Sequence, residues 1–277
     1  MTTASTLRPR AGSSAKSVLL TLLGELVLPR SGTAWTRSLV DALALLGIEE
    51  KNARQALLRL ADQGYIESER LGRRVRWGLT PSGRALLSSG TERIYTFGLP
   101  GPAWDRRWLV VLCSVPERQR AKRHQLRSRL EFAGFGFLGA GTAITPHADR
   151  EDMANAVLAD LDLVGGAAVF RAEAGSLVPA ADLLRRAWDL EALAQRYHEF
   201  LRSFRRRSPR APEAQLVALV SLVHAWRRFP FIDPEIPAEL LPAHWVGGKA
   251  KAFFDERHDR WTPGAKLAFE QIEDANG

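Results

Sequence analysis

Apolar residues at helical spacing dominate the start of the chain. Leucine and valine at three- and four-residue intervals predict a helix over residues 15–28, a second helix that ends at Gly47 and a third that begins near Glu50. Thr33 or Thr36 can cap the second of these helices. Three short helices in tandem predict a helix-turn-helix arrangement.

The third predicted helix has one apolar face and one polar face. Ala53, Ala56, Leu57 and Leu60 recur at positions that share one side of a helix, so that side is expected to be buried. Asn and Gln side chains can pair with adenine and Arg with guanine in a major groove. The candidate base-reading residues are Asn52, Gln55 and Arg59, with Arg54 beside them.

A β-hairpin is predicted directly after this helix. Apolar and polar residues alternate over 65–70 and again over 74–79, with a turn at Leu71-Gly72-Arg73. The hairpin would form the wing of a winged helix-turn-helix and contact DNA phosphates through its arginines. These candidate phosphate contacts are Arg70, Arg73, Arg74 and Arg76.

The distribution of charge agrees with a DNA-binding N-terminal part. The formal net charge is +8, and residues 1–98 hold 14 basic against 8 acidic residues, while the rest of the chain is nearly balanced. No apolar stretch is long enough to span a bilayer, and the N-terminus lacks the features of a secretory signal. With a single cysteine, Cys113, the sequence indicates a cytoplasmic protein.

The remaining sequence predicts two further modules and an α+β fold class. Strand and helix patterns over residues 99–178 follow the order β-α-β-β-α-β of a ferredoxin-like sandwich. Helical spacing returns from Ala181, and the last predicted helix covers 249–254. The predicted domains are a flexible N-terminus (1–14), a winged helix-turn-helix (15–98), a ferredoxin-like dimerisation domain (99–178) and a mainly helical effector and dimerisation domain (179–277).

Several motifs in this order resemble the PaaX family. They include residues 52–60 in the third helix, Gly64-Tyr65-Ile66, Gly72-Arg73-Arg74, Leu79-Thr80-Pro81-Ser82-Gly83, Trp104 to Trp108, Gly134-Phe135-Gly136, Ile144-Thr145-Pro146 and His224 to Arg228 with Asp233-Pro234 and Trp245. Ala53 and Leu58 depart from the family pattern, which leaves the operator sequence open. The resemblance implies a bacterial repressor of aromatic-acid catabolism genes, typically those for phenylacetic acid.

The same resemblance implies a small-molecule effector and no cofactor. Its expected effector is an aryl-coenzyme A thioester such as phenylacetyl-CoA, whose ring favours aromatic contacts and whose phosphates favour arginine. Aromatic residues at helical spacing are also typical of a buried core. The candidate ligand-binding residues are Trp188, Tyr197, His224, Trp226, Arg227, Arg228 and Trp245.

Two other functions remain open from the sequence. The PaaX middle domain is similar to CRISPR adaptation nucleases, which bind a metal through an Asp near the end of the first strand, whereas this chain has Cys113-Ser114 there. No catalytic or metal site is therefore predicted, and the chain is not expected to be an enzyme. The alternatives are a metal-dependent nuclease and an architectural protein that binds DNA without sequence preference. The favoured hypothesis is a homodimeric repressor that binds double-stranded DNA.

Overall fold

The structure is a computed structural model that describes residues 14–99, 101 and 103–277. The predicted flexible N-terminus lies outside the described residues except for Ser14. The chain forms two compact units. Unit 1 comprises the described part of Met1–Phe97 together with Glu199–Arg228 and Lys249–Gly277, and unit 2 comprises Gly98–His198 and Phe229–Gly248.

The N-terminal part of unit 1 is a winged helix-turn-helix, as the sequence predicts. Its elements are α1 (Ala15–Leu22), a π-helical turn (Leu23–Val27), β1 (Thr33–Trp35), α2 (Thr36–Leu45), α3 (Glu50–Asp62), β2 (Ile66–Leu71), β3 (Arg74–Leu79) and α4 (Pro81–Thr96). The strands form an antiparallel sheet in the order β1-β3-β2. The apolar stripe of α3 is fully buried, so α3 exposes its polar sides.

Two elements here are absent from the sequence prediction. Strand β1 has only three residues, too few to show an alternating pattern. Its last residue, Trp35, is the N-cap residue of α2, in place of the expected threonine. Helix α4 contains two internal glycines and three serines, all weak helix formers. It begins nevertheless because the Thr80 side chain accepts a hydrogen bond from the Gly83 amide and Pro81 occupies the first turn.

The C-terminal helices of the structure differ from the predicted ones in length. The elements are α7 (Ala180–Ala187), α8 (Leu190–Phe204), α9 (Pro212–Trp226) and α10 (Val246–Asn276). The helical pattern that begins at Ala181 does not form one continuous helix, because the chain breaks at Trp188 and Asp189. The predicted last helix, 249–254, was far too short, since α10 has 31 residues and continues through Pro263. Buried Trp261, Ala265, Ala268 and Phe269 keep that part of α10 packed.

Unit 2 contains the predicted ferredoxin-like domain. Its elements are β4 (Arg107–Cys113), α5 (Arg120–Phe132), β5 (Gly136–Gly139), β6 (Thr142–Thr145), α6 (Glu151–Asp160) and β7 (Ala167–Glu173). The sheet is antiparallel in the order β5-β6-β4-β7. One core forms between this sheet and α5 and α6. A second core lies on the opposite face, where Leu184, Leu190, Ile236 and Leu240 cover Trp108 and Ile144.

The compact units are built from non-contiguous segments. Residues 199–228 and 249–277 belong with the winged helix-turn-helix, whereas 229–248 belong with the ferredoxin-like domain. Residues 179–277, the predicted C-terminal domain, are thus divided between the two units. The domain boundaries given by the sequence remain a prediction. None of the helices in the described part of the chain is long and apolar enough to cross a membrane.

Candidate nucleic-acid interface

Three of the four polar residues predicted on α3 lie together. Asn52, Gln55 and Arg59 are exposed and line a depression of about 310 Å³. The start of α1 and the loop Gly47–Glu49 complete its wall. The amide and guanidinium groups needed for reading base edges are therefore presented on one side of α3.

Arg54 lies on a different flank of α3. Its guanidinium forms an ion pair with Glu50, one helical turn earlier, at 2.8 Å. Glu50 also lies 3.8 Å from the guanidinium of Arg37 on α2, which in turn pairs with Asp41. The two pairs that involve Glu50 are solvent-exposed, so a DNA phosphate or base could replace this carboxylate at small cost.

The four wing arginines are divided between two faces of the hairpin. The turn at Gly72 requires a positive φ of 65°, which glycine adopts without strain. Arg70 pairs with Val75 across the strands, while Arg74 and Arg76 point to the other face. The candidate phosphate contacts therefore do not all lie on one face of the hairpin, because alternate side chains of a strand project to opposite sides. Arg73 is exposed at the turn.

A tryptophan that the sequence reading missed supports two of these arginines. The guanidinium carbons of Arg74 and Arg76 lie 5.0 Å and 5.5 Å from the centroid of the Trp35 ring. Trp35 is opposite Arg76 in the β1–β3 register, so their side chains share a face. Arg74 is exposed, whereas Arg76 is half-buried. No local pattern could identify Trp35, because β1 pairs with a strand some forty residues later in the chain.

The base of the wing is fixed to α4 by a compact set of polar contacts. The Thr80 hydroxyl donates to the Gly64 carbonyl at 2.6 Å, and the Ser82 hydroxyl donates to the same carbonyl at 3.0 Å. The Thr80 amide donates to the Tyr65 carbonyl. A Cβ on Gly83 would lie 1.9 Å from that carbonyl oxygen, so only glycine fits there. These contacts join the turn after α3 to the start of α4.

The four ligand candidates of unit 1 lie on or just after α9. Trp226 is completely buried and stacks on Phe254 with ring centroids 4.9 Å apart. Arg227 donates to the Thr21 hydroxyl at 3.0 Å and to Ser17 on α1, and Arg228 is exposed. Nδ1 of His224 lies 3.1 Å from the Thr21 hydroxyl. Burial and the neighbouring Arg227 and Arg228 lower the pKa of His224 to about 4.

The other three ligand candidates belong to unit 2. Tyr197 is buried, stacks on Phe229 at 4.3 Å and donates a short hydrogen bond to Asp233. Burial raises the pKa of Tyr197 and also that of Asp233. The half-buried ring of Trp245 meets Tyr197 edge-on, and half-buried Trp188 stacks on Trp108. The seven candidates are thus divided, four to unit 1 and three to unit 2.

The position of a nuclease metal ligand holds no carboxylate. Cys113 ends β4, is buried, and has a pKa raised by that burial. Ser114, the next residue, is exposed. Among the described residues there is no group of three His, Cys, Asp or Glu side chains placed to hold a metal ion.

A winged helix-turn-helix with exposed amide and guanidinium groups on its third helix and arginines on its wing defines a DNA-binding regulator. Three family models match in chain order: PaaX-like protein at residues 14–83, the PaaX protein central Cas2-like domain at 101–184 and the PaaX-like protein C-terminal domain at 188–271.

Individual relatives extend these matches over nearly the whole chain. The transcriptional repressor PaaX of Escherichia coli (strain K12) is 30% identical over 267 residues, covering 92% of this chain and 83% of that protein. The chain therefore belongs to the PaaX family and is a transcriptional repressor of that family. The solved structure of the uncharacterized protein Rv0674 from Mycobacterium tuberculosis covers 95% of this chain and 98% of its own, with a TM-score of 0.62 and 22% identity, and shows the same fold.

Proposed function

We propose that this repressor binds a specific operator as a homodimer, with α3 in the major groove and the wing along the backbone. The observation that carries the proposal is the depression lined by Asn52, Gln55 and Arg59 on the same small domain as the arginine-bearing hairpin. Base contacts from α3 would supply sequence discrimination, and phosphate contacts from the wing would supply affinity. A two-fold dimer would match a near-palindromic operator.

The individual contacts follow from the positions of the side chains. Asn52, Gln55 and Arg59 are assigned to base edges. Arg54 is also assigned to a base edge, and its ion pair with Glu50 would break when it contacts DNA. Arg73 and Arg74 are exposed and are assigned to phosphates, as is Arg70 from the other face of the hairpin. Arg76 is half-buried beside Trp35 and contributes mainly through its charge.

We further propose that the regulated genes serve aromatic-acid catabolism and that an aryl-CoA thioester such as phenylacetyl-CoA releases the operator. The support is family membership together with half-buried Trp188 and Trp245 in unit 2, whose rings are suited to an aryl group. The protein would act by binding, not catalysis, and in the cytoplasm, where its operator lies.

Release requires the thioester to bind one arrangement of the protein more tightly than another. An effector that prefers the DNA-incompetent arrangement lowers operator affinity by the ratio of its affinities for the two arrangements. Effector binding and DNA binding are thus coupled through the equilibrium between the two arrangements, and the effector needs no contact with the duplex.

A titration of the protein–DNA complex tests this proposal. The probe is a labelled duplex that the wild-type protein enriches from a random pool, and phenylacetyl-CoA, free CoA and phenylacetate are added in separate series at fixed salt. We expect phenylacetyl-CoA to weaken binding about tenfold or more, as for a typical coupling free energy, and the two fragments to have little effect. Unchanged affinity in all three series would refute the effector but leave DNA binding intact.

A further inference from the structure

We propose that the last turn of α10 and Trp35 form a cradle that positions Arg74 of the wing for a DNA backbone phosphate. The Arg74 cradle is defined by Trp35, Glu273 and Asn276. The inference rests on the proposed DNA-binding role of the wing and assigns a positioning function to residues that do not themselves touch DNA.

Two guanidinium groups lie against the Trp35 ring, those of Arg74 and Arg76. Glu69 is opposite Arg76 across the β2–β3 pair, whereas Arg74 is opposite Leu71, and neither arginine forms an ion pair with a carboxylate within the described residues. The Nε atom of Arg76 is buried without a hydrogen-bond partner in the same part of the chain. Two cations at one aromatic face repel each other, and a phosphate placed against exposed Arg74 would relieve that repulsion.

The end of α10 supplies the other side of the cradle. Arg74 donates a hydrogen bond from Nη1 to the backbone carbonyl of Asn276 at 3.1 Å. This carbonyl lies in the last turn of a helix, where the helix dipole attracts a cation. One guanidinium edge is therefore occupied by protein, while the remaining N–H donors of an exposed Arg74 stay available for a phosphate.

Further hydrogen bonds attach this turn to the winged helix-turn-helix. The Trp35 amide donates to the Glu273 carboxylate at 3.1 Å, and the Asn276 side chain donates to Asp41 at 3.2 Å. The Ser38 hydroxyl donates to the Ile272 carbonyl at 3.3 Å. Glu273 thus holds the backbone of the residue whose ring supports Arg74. Fixing a long side chain before binding lowers the entropy lost when it meets its ligand.

The decisive comparison is between Glu273→Ala and Glu273→Gln in the full chain. Both substitutions remove the same negative charge, but only glutamine keeps an oxygen that can accept from the Trp35 amide. The affinity of each variant is measured for two DNAs, the duplex that the wild-type protein enriches from the random pool (the selected duplex) and a scrambled duplex. Each measurement is made with and without Arg74→Ala. Asp274→Ala removes a charge from a neighbouring exposed residue and controls for the field of the acidic helix end.

We expect Glu273→Ala to bind both duplexes about threefold more weakly than Glu273→Gln, the size of an exposed cation–π contact. In the Arg74→Ala background the two variants should bind equally, because the exposed guanidinium that the cradle positions is gone and half-buried Arg76 is not assigned to a phosphate. Asp274→Ala should bind no more weakly than wild type. Arg74→Ala alone should reduce the slope of log affinity against log salt by about 1.

Other results separate the two levels of the proposal. If Arg74→Ala binds like wild type, the wing role fails. If Arg74→Ala weakens binding but the Glu273 variants are equal, or keep their difference in the Arg74→Ala background, only the cradle is overturned. Should Glu273→Ala fail to fold by circular dichroism, Trp35→Leu against Trp35→Phe takes its place, since phenylalanine keeps an aromatic ring under Arg74. Equal affinity of that pair would also overturn the cradle.

Discussion

Gly83 shows how much the wing depends on a single close approach. A Cβ at this position would meet the Tyr65 carbonyl at 1.9 Å, and that carbonyl already accepts from the Thr80 amide. Gly83→Ala must therefore shift either the start of α4 or the turn at Tyr65 that follows α3. We expect a loss of about 1–3 kcal/mol in unfolding free energy, as for other overpacked sites, measured by urea denaturation.

Gly90 provides a matched control for that substitution. It lies in the same helix, and a Cβ there would meet no atom within 4 Å. Because alanine favours a helix over glycine by about 0.5–1 kcal/mol, Gly90→Ala should leave stability unchanged or raise it. Equal destabilisation by both substitutions would contradict the account, because it would show that the close approach to Tyr65 does not distinguish Gly83 from Gly90.

At the scale of single residues, the sequence predicted the exposure of side chains better than their long-range contacts. The exposure of Asn52, Gln55 and Arg59 follows from helical periodicity alone. The ion pair of Arg54 with Glu50 was also available from their four-residue spacing. The support of Arg74 by Trp35 and Asn276 was not, because it joins residues distant along the chain.

At the scale of elements, the contact between α1 and α9 predicts a dependence of stability on pH. Folding lowers the pKa of His224 from 6.5 to about 4, so the unfolded chain binds more protons between these values. This contribution to stability is complete above about pH 6.5 and is lost as the pH falls towards 4. The loss amounts to about 2–3 kcal/mol.

The variant His224→Gln isolates this effect from other titrating groups. The glutamine amide can donate to or accept from the Thr21 hydroxyl but does not titrate. The difference in unfolding free energy between wild type and His224→Gln should therefore change across this pH range. Parallel stability curves would mean that the His224 imidazole titrates in the folded protein as it does in the unfolded chain.

Other elements show where local patterns stop being informative. Helix α10 was predicted to end at Phe254, but it extends to Asn276 through Pro263 and Gly264, a pair that resembles a stop signal. Tertiary packing overrides that signal, since Trp261 and Phe269 on either side are buried in unit 1. The ferredoxin-like sheet was predicted correctly because its strands and helices alternate in a recognisable order.

At the scale of the whole molecule, the DNA-binding part is larger than the N-terminal sequence suggests. Residues 199–228 and 249–277 belong to the same compact unit as the winged helix-turn-helix. Helix α9 meets α1 through His224 and Arg227, and α10 reaches Trp35 through Glu273. Long-range assembly of this kind cannot be read from periodicity, because each helix shows only its own apolar face.

The most direct test of the account compares the specificity ratio of wild type, Gln55→Ala and Arg73→Ala for the selected and scrambled duplexes at fixed salt. Losing a base contact costs about 1–3 kcal/mol on the correct sequence only. We predict that Gln55→Ala lowers the ratio, while Arg73→Ala weakens both duplexes alike and preserves it. A preserved ratio for Gln55→Ala together with a reduced one for Arg73→Ala would contradict the assignment of α3 to bases and the wing to phosphates.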